Sequence, residues 1–235
     1  MLIKKEVLTQ PDGAHWEMFD VSGGKAVLTS KGKELFRERP QTWRDLRSYR
    51  KKAAGKKPPG KDPNIRRHFA SGGNSDVYTA GEGLVMKEAK PAGGSLFFTV
   101  DRMDRLLNVI ESQVPRWIDI PSHYGLLFSN NLERQYLLMQ RIDSGVTVEH
   151  ILNPGALTED QATNLEVAFP GLSQGEQDDV RERFEDAGRI LTSALDEAGY
   201  EPSSYLTDWH EGNVLVERLE TPVADSPHKM WVIDQ

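Results

Sequence analysis

The chain has 235 residues, of which 37% are hydrophobic, a formal net charge of −7 and no cysteine. That length allows one large domain, or one bilobal unit with an appendage, and it is enough to bury a core. The lack of cysteine excludes disulfide scaffolds, cysteine-ligated zinc, iron–sulfur clusters and thiol chemistry. No apolar run approaches the roughly 18 residues of a membrane span. We therefore expect a cytoplasmic protein without a membrane partner.

Residues 1–66 are interpreted as an N-terminal extension. Within it, Trp16–Val21 and Lys25–Thr29 flank Ser22-Gly23-Gly24 and predict a hairpin. A helix is predicted from Gln41 to Ala54, and the Pro/Gly-rich segment after it is typical of a linker.

Positive charge is concentrated in residues 44–67, which hold ten Lys or Arg against two Asp. This window carries +8, and the rest of the chain carries −15. A basic stripe of this kind can bind phosphates or nucleic acid. Its Pro/Gly-rich composition favours the alternative, a solvated helix followed by a linker.

The segment 67–142 predicts three strands, one helix and two further strands. Gly-punctuated β-branched and aromatic residues after His68 indicate the first three strands. From Thr99 to Ser112, apolar residues at i, i+3, i+4 and i+7 predict the helix. Two apolar segments around Asn130-Asn131 then predict a strand pair.

Residues 143–235 are predicted to be mainly helical. The helices are Thr147–Leu152, Leu157–Val167 and Glu176–Ala198, the last with one apolar face. Two short strands follow, Val214–Val216 and Met230–Ile233, separated by a polar excursion.

A Gly-containing turn and a lysine are the first candidate site features. Gly72, Gly73, Asn74 and Ser75 lie in a turn between strands, ahead of Val77. Backbone amides in such a turn can lie over a polyphosphate, although a plain hairpin turn explains the pattern equally well. Lys87 closes an apolar strand, and a buried ammonium there needs an anionic partner such as a nucleotide phosphate. A lysine at a surface edge is the alternative.

The third feature carries the most information. Asp208 begins the segment DWHEGNVLV, Asn213 follows five residues later at a strand entrance, and Asp234 ends the next apolar strand. Phosphoryl transfer needs a carboxylate for the attacking hydroxyl, and an amide oxygen with a second carboxylate for Mg²⁺. Taken singly, a loop-capping Asp, a turn Asn and a surface Asp are each common.

In this order the segments resemble the protein-kinase-like superfamily, over about residues 66–235. The Asp-x-His-x-Gly-Asn form is similar to the catalytic loop of aminoglycoside and choline phosphotransferases. The resemblance implies an α+β, bilobal fold with a five-stranded antiparallel N-lobe sheet and one helix (67–142). It also implies a reduced, mainly helical C-lobe (143–235).

The resemblance also implies roles for single residues. Asp208 would be the catalytic aspartate, with Lys87 on the phosphates of ATP and Asn213 and Asp234 on Mg²⁺. The nucleotide would lie against the following residues: Gly72, Gly73, Asn74, Ser75, Val77, Lys87 and the hinge residues Gln140 and Ile142. The expected activity is transfer of the γ-phosphate of ATP to a hydroxyl, with a protein Ser or Thr, even one of this chain, as acceptor.

Departures from the family pattern keep two alternatives open. The helix expected to supply a Glu for Lys87 has Met103 near that slot, with Asp101, Asp104 and Glu111 as the nearby acids. Such losses are typical of a nucleotide-binding pseudokinase or regulatory scaffold, which would work through a protein partner. A small-molecule kinase is the second alternative. No Phe-Gly, activation segment or substrate-binding helices follow Asp234 in this sequence.

One further motif resembles a hydrolase nucleophile elbow. Gly171-Leu172-Ser173-Gln174-Gly175 has the required spacing, and Asp208 and His228 follow in the order of a triad. Pro170 stands where a central strand should end, and Ser173 with Glu176 predicts a capping box instead. His210 is expected to brace its loop through a hydrogen bond, and Trp209 and Trp231 are expected to pack in the core or against the loop.

Overall fold

The structure is a computed structural model. It describes residues 3–9, 15–21, 24–38, 65–71, 75–80, 83–89, 96–128, 135–206, 209–224 and 226–233. The predicted helix Gln41–Ala54 and the linker after it lie outside the described residues, as do Gly72, Gly73, Asn74, Asp208 and Asp234. The chain divides into two compact units, unit 1 from 1–100 and 122–141, and unit 2 from 101–121 and 142–235.

Unit 1 is built on one antiparallel sheet of eight strands. Their order in the sheet is β1-β2-β3-β8-β9-β6-β5-β4. The strands are β1 (Ile3–Thr9), β2 (His15–Val21), β3 (Gly24–Leu28), β4 (Ile65–Ser71), β5 (Ser75–Ala80), β6 (Leu84–Ala89), β8 (His123–Phe128) and β9 (Gln135–Gln140). The α+β class and the antiparallel sheet are confirmed.

The sheet has three more strands than the five predicted. The expected hairpin of β2 and β3 is present, and β3 also pairs with β8 through Lys25↔Phe128 to Leu28↔Gly125. β1 pairs with β2 on the far side. Because β8 is apolar and can pair on both sides, the N-terminal strands continue the predicted sheet rather than form a separate hairpin. The division into 1–66, 67–142 and 143–235 remains a prediction.

A helix of unit 1, α1 (Ser30–Glu38), covers one face of this sheet. Leu35 and Phe36 are buried in a cluster with strand residues such as Leu127, Tyr136 and Leu138. The helix comes so close to β8 that a Cβ on Gly32 would lie 1.7 Å from the carbonyl oxygen of Tyr124. Only glycine fits at that contact. The opposite face holds a second apolar cluster, made of Met18, Val27, Val85, Leu126, Phe128, Leu137 and Met139.

The helix α2 (Leu96–Gln113) runs from unit 1 into unit 2. It confirms the helix predicted over Thr99–Ser112. Its apolar spacing acts as expected, because Met103, Leu106 and Ile110 are all buried in the core of unit 2.

Unit 2 combines helices with a four-stranded sheet of order β10-β11-β12-β7. Its helices are α3 (Val148–Leu152), α4 (Glu159–Ala168), α5 (Gln174–Glu197) and α6 (Pro202–Tyr205), with 3₁₀ turns at Pro154–Ala156 and Glu211–Asn213. Its strands are β7 (Ile118–Asp119), β10 (Val146–Thr147), β11 (Val214–Val223) and β12 (Ser226–Val232). The expected polar excursion is therefore a continuation of the β11–β12 hairpin, whose registered pairs run from Val214↔Val232 to Val223↔Ser226.

The α4–α5 connection excludes the nucleophile elbow. The residues before Gly171 are the end of helix α4 and its C-cap Phe169, where an elbow needs a strand. The Ser173 hydroxyl accepts a hydrogen bond from the Glu176 N–H at 3.2 Å and caps α5. The other half of the predicted capping box is missing, because the Glu176 carboxylate bonds to Arg218 instead.

In the described part of the chain, no helix is both long enough and apolar enough to cross a membrane.

Candidate functional site

The candidate residues are carried by both units, and each unit is described by itself. In unit 1, Lys87 is 5% exposed on β6, between Val77 on β5 and Leu137 on β9. Directly paired residues share a face of a sheet, so Lys87 is on the face that holds Val85 and the cluster around Leu137. An ammonium in such apolar surroundings is costly unless it is paired or hydrogen-bonded. The buried ammonium group of Lys87 therefore needs to be paired or hydrogen-bonded.

The predicted hinge begins at the end of β9. The backbone N–H of Gln140 donates to the Ser122 carbonyl at 2.8 Å, and its side-chain Oε1 accepts from the Ser122 N–H at 3.2 Å. The next N–H, of Arg141, donates to the Gly83 carbonyl at 2.9 Å. Both amides are thus used within unit 1. Ile142, where unit 2 resumes, is buried.

In unit 2, a 3₁₀ turn holds Asn213. The His210 ring begins this turn as its N-cap, with Nδ1 accepting from the Gly212 N–H at 3.0 Å. The His210 carbonyl accepts from the Asn213 N–H at 2.9 Å. The brace expected of His210 is confirmed. Since an N–H only donates, Nδ1 must carry a lone pair, and in the neutral ring the proton is on Nε2.

A second bond fixes Asn213 from the other side. Its carbonyl accepts from the Ile233 N–H at 3.0 Å. Ile233 directly precedes Asp234 in the sequence, so this bond ties Asn213 to the residue next to the other predicted metal ligand.

Gly212 gives this turn room to form. A Cβ there would lie 2.8 Å from Cε1 of His210 and 3.2 Å from a carboxylate oxygen of Glu149 on α3. A side chain at 212 would therefore push against both the cap and the neighbouring helix. Gly212 had no predicted role, although a glycine between a capping residue and a candidate ligand is a sequence signal of close approach.

Trp209 and Trp231 pack as expected. Trp209 stacks on Phe184 of α5, with ring centroids 5.0 Å apart and planes inclined by 8°. Trp231 is 8% exposed, and its Nε1 donates to Glu217 at 3.0 Å.

A charged cluster in unit 2 was missed by sequence reasoning. Arg218 and His228 are a directly opposed pair on β11 and β12. Arg218 Nε donates to Glu176 at 2.9 Å, and the His228 ring nitrogens lie 3.0 Å from Asp179 and 3.4 Å from Glu176. Burial raises the pKa of the Glu176 carboxyl, but hydrogen bonds from Arg218 and His228 outweigh that effect and hold the pKa below its ordinary value. The four side chains join α5 to the β11–β12 hairpin, which begins directly after Asn213.

Over the described ranges, no group of three or more His, Cys, Asp or Glu is arranged to hold a metal ion. An amide oxygen and one carboxylate, the set predicted here, suit Mg²⁺, which is held by few protein oxygens and keeps several waters.

The chain was compared with known proteins. No protein-family model and no curated protein matches it. Among solved structures, the PknI kinase domain of Mycobacterium tuberculosis is similar at a TM-score of 0.37 and 16% identity, over 74% of this chain and 60% of that one. A microcompartment-associated aminopropanol kinase is similar at a TM-score of 0.34 and 12% identity, over 81% of this chain and 69% of that one. The chain thus spans about 60% of the PknI domain.

Proposed function

We propose that this chain is a kinase-like phosphotransferase that uses ATP and Mg²⁺ to phosphorylate a hydroxyl. The observation that carries the proposal is the pair of backbone bonds that hold Asn213 between His210 and Ile233, next to Asp234. A metal-assisted transfer requires oxygen ligands kept at fixed positions, and the turn that is tied at both ends supports this for Asn213.

In the proposed reaction, the acceptor hydroxyl oxygen forms a bond to the γ-phosphorus while the bond to the β–γ bridging oxygen breaks. The Asp208 carboxylate orients the hydroxyl and takes its proton, and ADP leaves with the bonding electron pair. Lys87 neutralises phosphate charge. Asn213 and Asp234 would hold Mg²⁺, which offsets negative charge on the phosphates.

The nucleotide is assigned to residues that the sequence singled out. Gly72, Gly73, Asn74, Ser75 and Val77 would cover the phosphates and one face of the base. The N–H of Gln140 is bonded to Ser122, so we assign the hinge contacts to the Gln140 carbonyl and to Ile142.

We propose a protein Ser or Thr as the acceptor, including Ser71 or Ser75 of this chain. A small-molecule hydroxyl is the alternative substrate. The basic stretch 44–67, for which nucleic acid was considered, lies mostly outside the described residues and adds nothing to either choice.

A nucleotide-binding regulatory scaffold is the second candidate. One observation favours it: Met103, near the slot where the family carries a Glu, is 1% exposed in the core of unit 2. Methionine has no carboxylate, so position 103 does not offer the acidic group that the family carries there. Both candidates would bind a nucleotide, but only the kinase would transfer phosphate.

The test is transfer of label from γ-labelled ATP in Mg²⁺, with and without a mixed protein substrate. We compare the wild type with Asp208→Asn and Lys87→Met. Matched controls are Asp196→Asn and Lys31→Met, which alter exposed residues of the same types. We expect label with the wild type and controls, and a loss of at least about a hundredfold in the two site variants.

Each other outcome points elsewhere. If ATP stabilises the chain against heat in the presence of Mg²⁺ but no label is transferred, the assignment as a kinase gives way to the regulatory scaffold. If the wild type shows neither label transfer nor thermal stabilisation by ATP, the nucleotide site itself is overturned.

A further inference from the structure

Two packed aromatic residues flank Thr207 and Asp208 in the sequence. Tyr205 is 7% exposed and packs its ring 5.1 Å from that of Tyr200. Trp209 is stacked on Phe184. Thr207 and Asp208 themselves lie outside the described residues.

Trp209 has its indole edge against a glycine of α5. A Cβ built on Gly188 would lie 2.8 Å from Nε1 of Trp209 and 3.2 Å from its Cε2. Gly188 is four residues after Phe184, so the two lie on the same side of the helix. Phe184 supports the face of the indole, and Gly188 leaves space for its edge.

A glycine in the middle of a 24-residue helix needs a reason. Glycine destabilises a helix interior relative to alanine, because it loses more backbone freedom on folding. The other glycine of α5, Gly175, has nothing within 4 Å of its would-be Cβ. Only at 188 does a neighbouring side chain occupy the space that a methyl group would take.

We propose that Gly188 is a positioning residue for the phosphotransfer: its missing side chain leaves the space that the indole of Trp209 occupies, and Trp209 directly follows Asp208 in the sequence. The inference rests on the proposed function. A side chain at 188 would displace the indole, and the displacement would act on the chemistry through the peptide bond between residues 208 and 209. Because reacting groups must be aligned within a fraction of an ångström, the loss falls on the chemical step rather than on ATP binding.

The first experiment compares Gly188→Ala with Gly175→Ala, the same change on the same helix without a contact. For Gly188→Ala we expect kcat to fall at least about tenfold, with KM for ATP within about twofold of the wild type. Gly175→Ala should leave both constants unchanged. Equal behaviour of the two variants would overturn the inference while leaving the kinase assignment in place.

A rescue variant tests the contact itself. Trp209→Phe keeps a ring to stack on Phe184 and removes the Nε1 edge that faces residue 188. In that background, Gly188→Ala should cost much less of kcat than it does in the wild type. If it reduces kcat by the same factor in both backgrounds, Trp209 is not what Gly188 accommodates.

Hydrogen exchange gives a readout that needs no activity. Peptides covering residues 203–213 should exchange faster in Gly188→Ala than in the wild type, and Gly175→Ala should match the wild type. Unchanged exchange in Gly188→Ala would overturn the role given to Gly188 in seating Trp209. If the wild type transfers no phosphate but exchange responds as expected, the proposed function fails and Gly188 is left with a purely structural role.

Discussion

At the scale of single residues, Glu176 links the charged side chains of the cluster in unit 2. Its carboxylate accepts a hydrogen bond from Arg218 and lies beside the buried ring of His228. Charge-assisted hydrogen bonds contribute about 1.5–3 kcal/mol each when partly shielded from water. Glu176→Gln should therefore lower the free energy of unfolding at neutral pH by about 1–3 kcal/mol, measured in urea. The control Asp178→Asn removes the charge from an exposed pair with Arg181, keeps an oxygen that can accept from Gln174, and should change the free energy of unfolding by less than about 0.5 kcal/mol.

The same residue predicts a pH dependence with a definite sign. The pKa of Glu176 is lower in the folded chain than its ordinary value of 4.5. Its contribution is thus present above pH 4.5 and is lost as the pH falls through the depressed folded pKa. The stability difference between wild type and Glu176→Gln should narrow below pH 4.5. A difference that stays constant down to acid unfolding would contradict the role given to this carboxylate.

His210 is the second residue whose chemistry can be tested directly. As an N-cap, its Nδ1 accepts from Gly212, and the turn so formed carries Asn213. His210→Ala removes the acceptor and should raise the Mg²⁺ concentration for half-maximal transfer about tenfold or more, as lost supporting contacts do at metal sites. His210→Asn keeps a capping oxygen and should recover most of this loss. Failure of Asn to recover it would mean that the imidazole acts in another way.

At the scale of elements, α1 contributes buried apolar side chains to the core of unit 1. Phe36 is 5% exposed and packs in the cluster of Leu127 and Tyr136. Phe36→Ala should lower the free energy of unfolding by about 3–5 kcal/mol, from lost burial and the cavity left behind. The neighbouring Glu34→Ala alters an exposed position and should stay within about 0.5 kcal/mol. Urea unfolding measures both, and equal effects would show that α1 is not part of this core.

The helices also show where sequence reasoning succeeds. The spacing of Met103, Leu106 and Ile110 predicted α2, and all three are buried. Helix starts were harder: α4 begins after Thr158, whose capping box with Gln161 was not foreseen. The capping box expected of Glu176 is absent because a guanidinium 42 residues away competes for its carboxylate. Local patterns cannot weigh a long-range partner of this kind.

At the scale of the whole molecule, the order of strands along the chain and the pairing of neighbouring strands could be predicted from the sequence, but the pairing of strands distant in the sequence could not. The sequence indicated three strands, a helix and two strands from residue 67, and all are present. The pairing of Lys25 with Phe128 joins segments about a hundred residues apart, which no local pattern encodes. For the candidate site, residue types and spacing singled out Asn213, whose role stays a prediction, whereas the role of Gly188 can be inferred only from the Trp209 ring that packs against it.

The continuation of the sheet by β1, β2 and β3 has a consequence for solubility. Without β3, the apolar strand β8, with the sequence HYGLLF, would offer unpaired N–H and C=O groups to other chains, which is the usual starting point of edge-to-edge aggregation. In the described sheet the outermost strands are instead β1 and β4, whose sequences are IKKEVLT and IRRHFAS. Charged residues in outer strands discourage such pairing. Strands β1 to β3 therefore replace an apolar sheet edge, which would promote aggregation, with an edge whose charged residues disfavour pairing between copies of the chain.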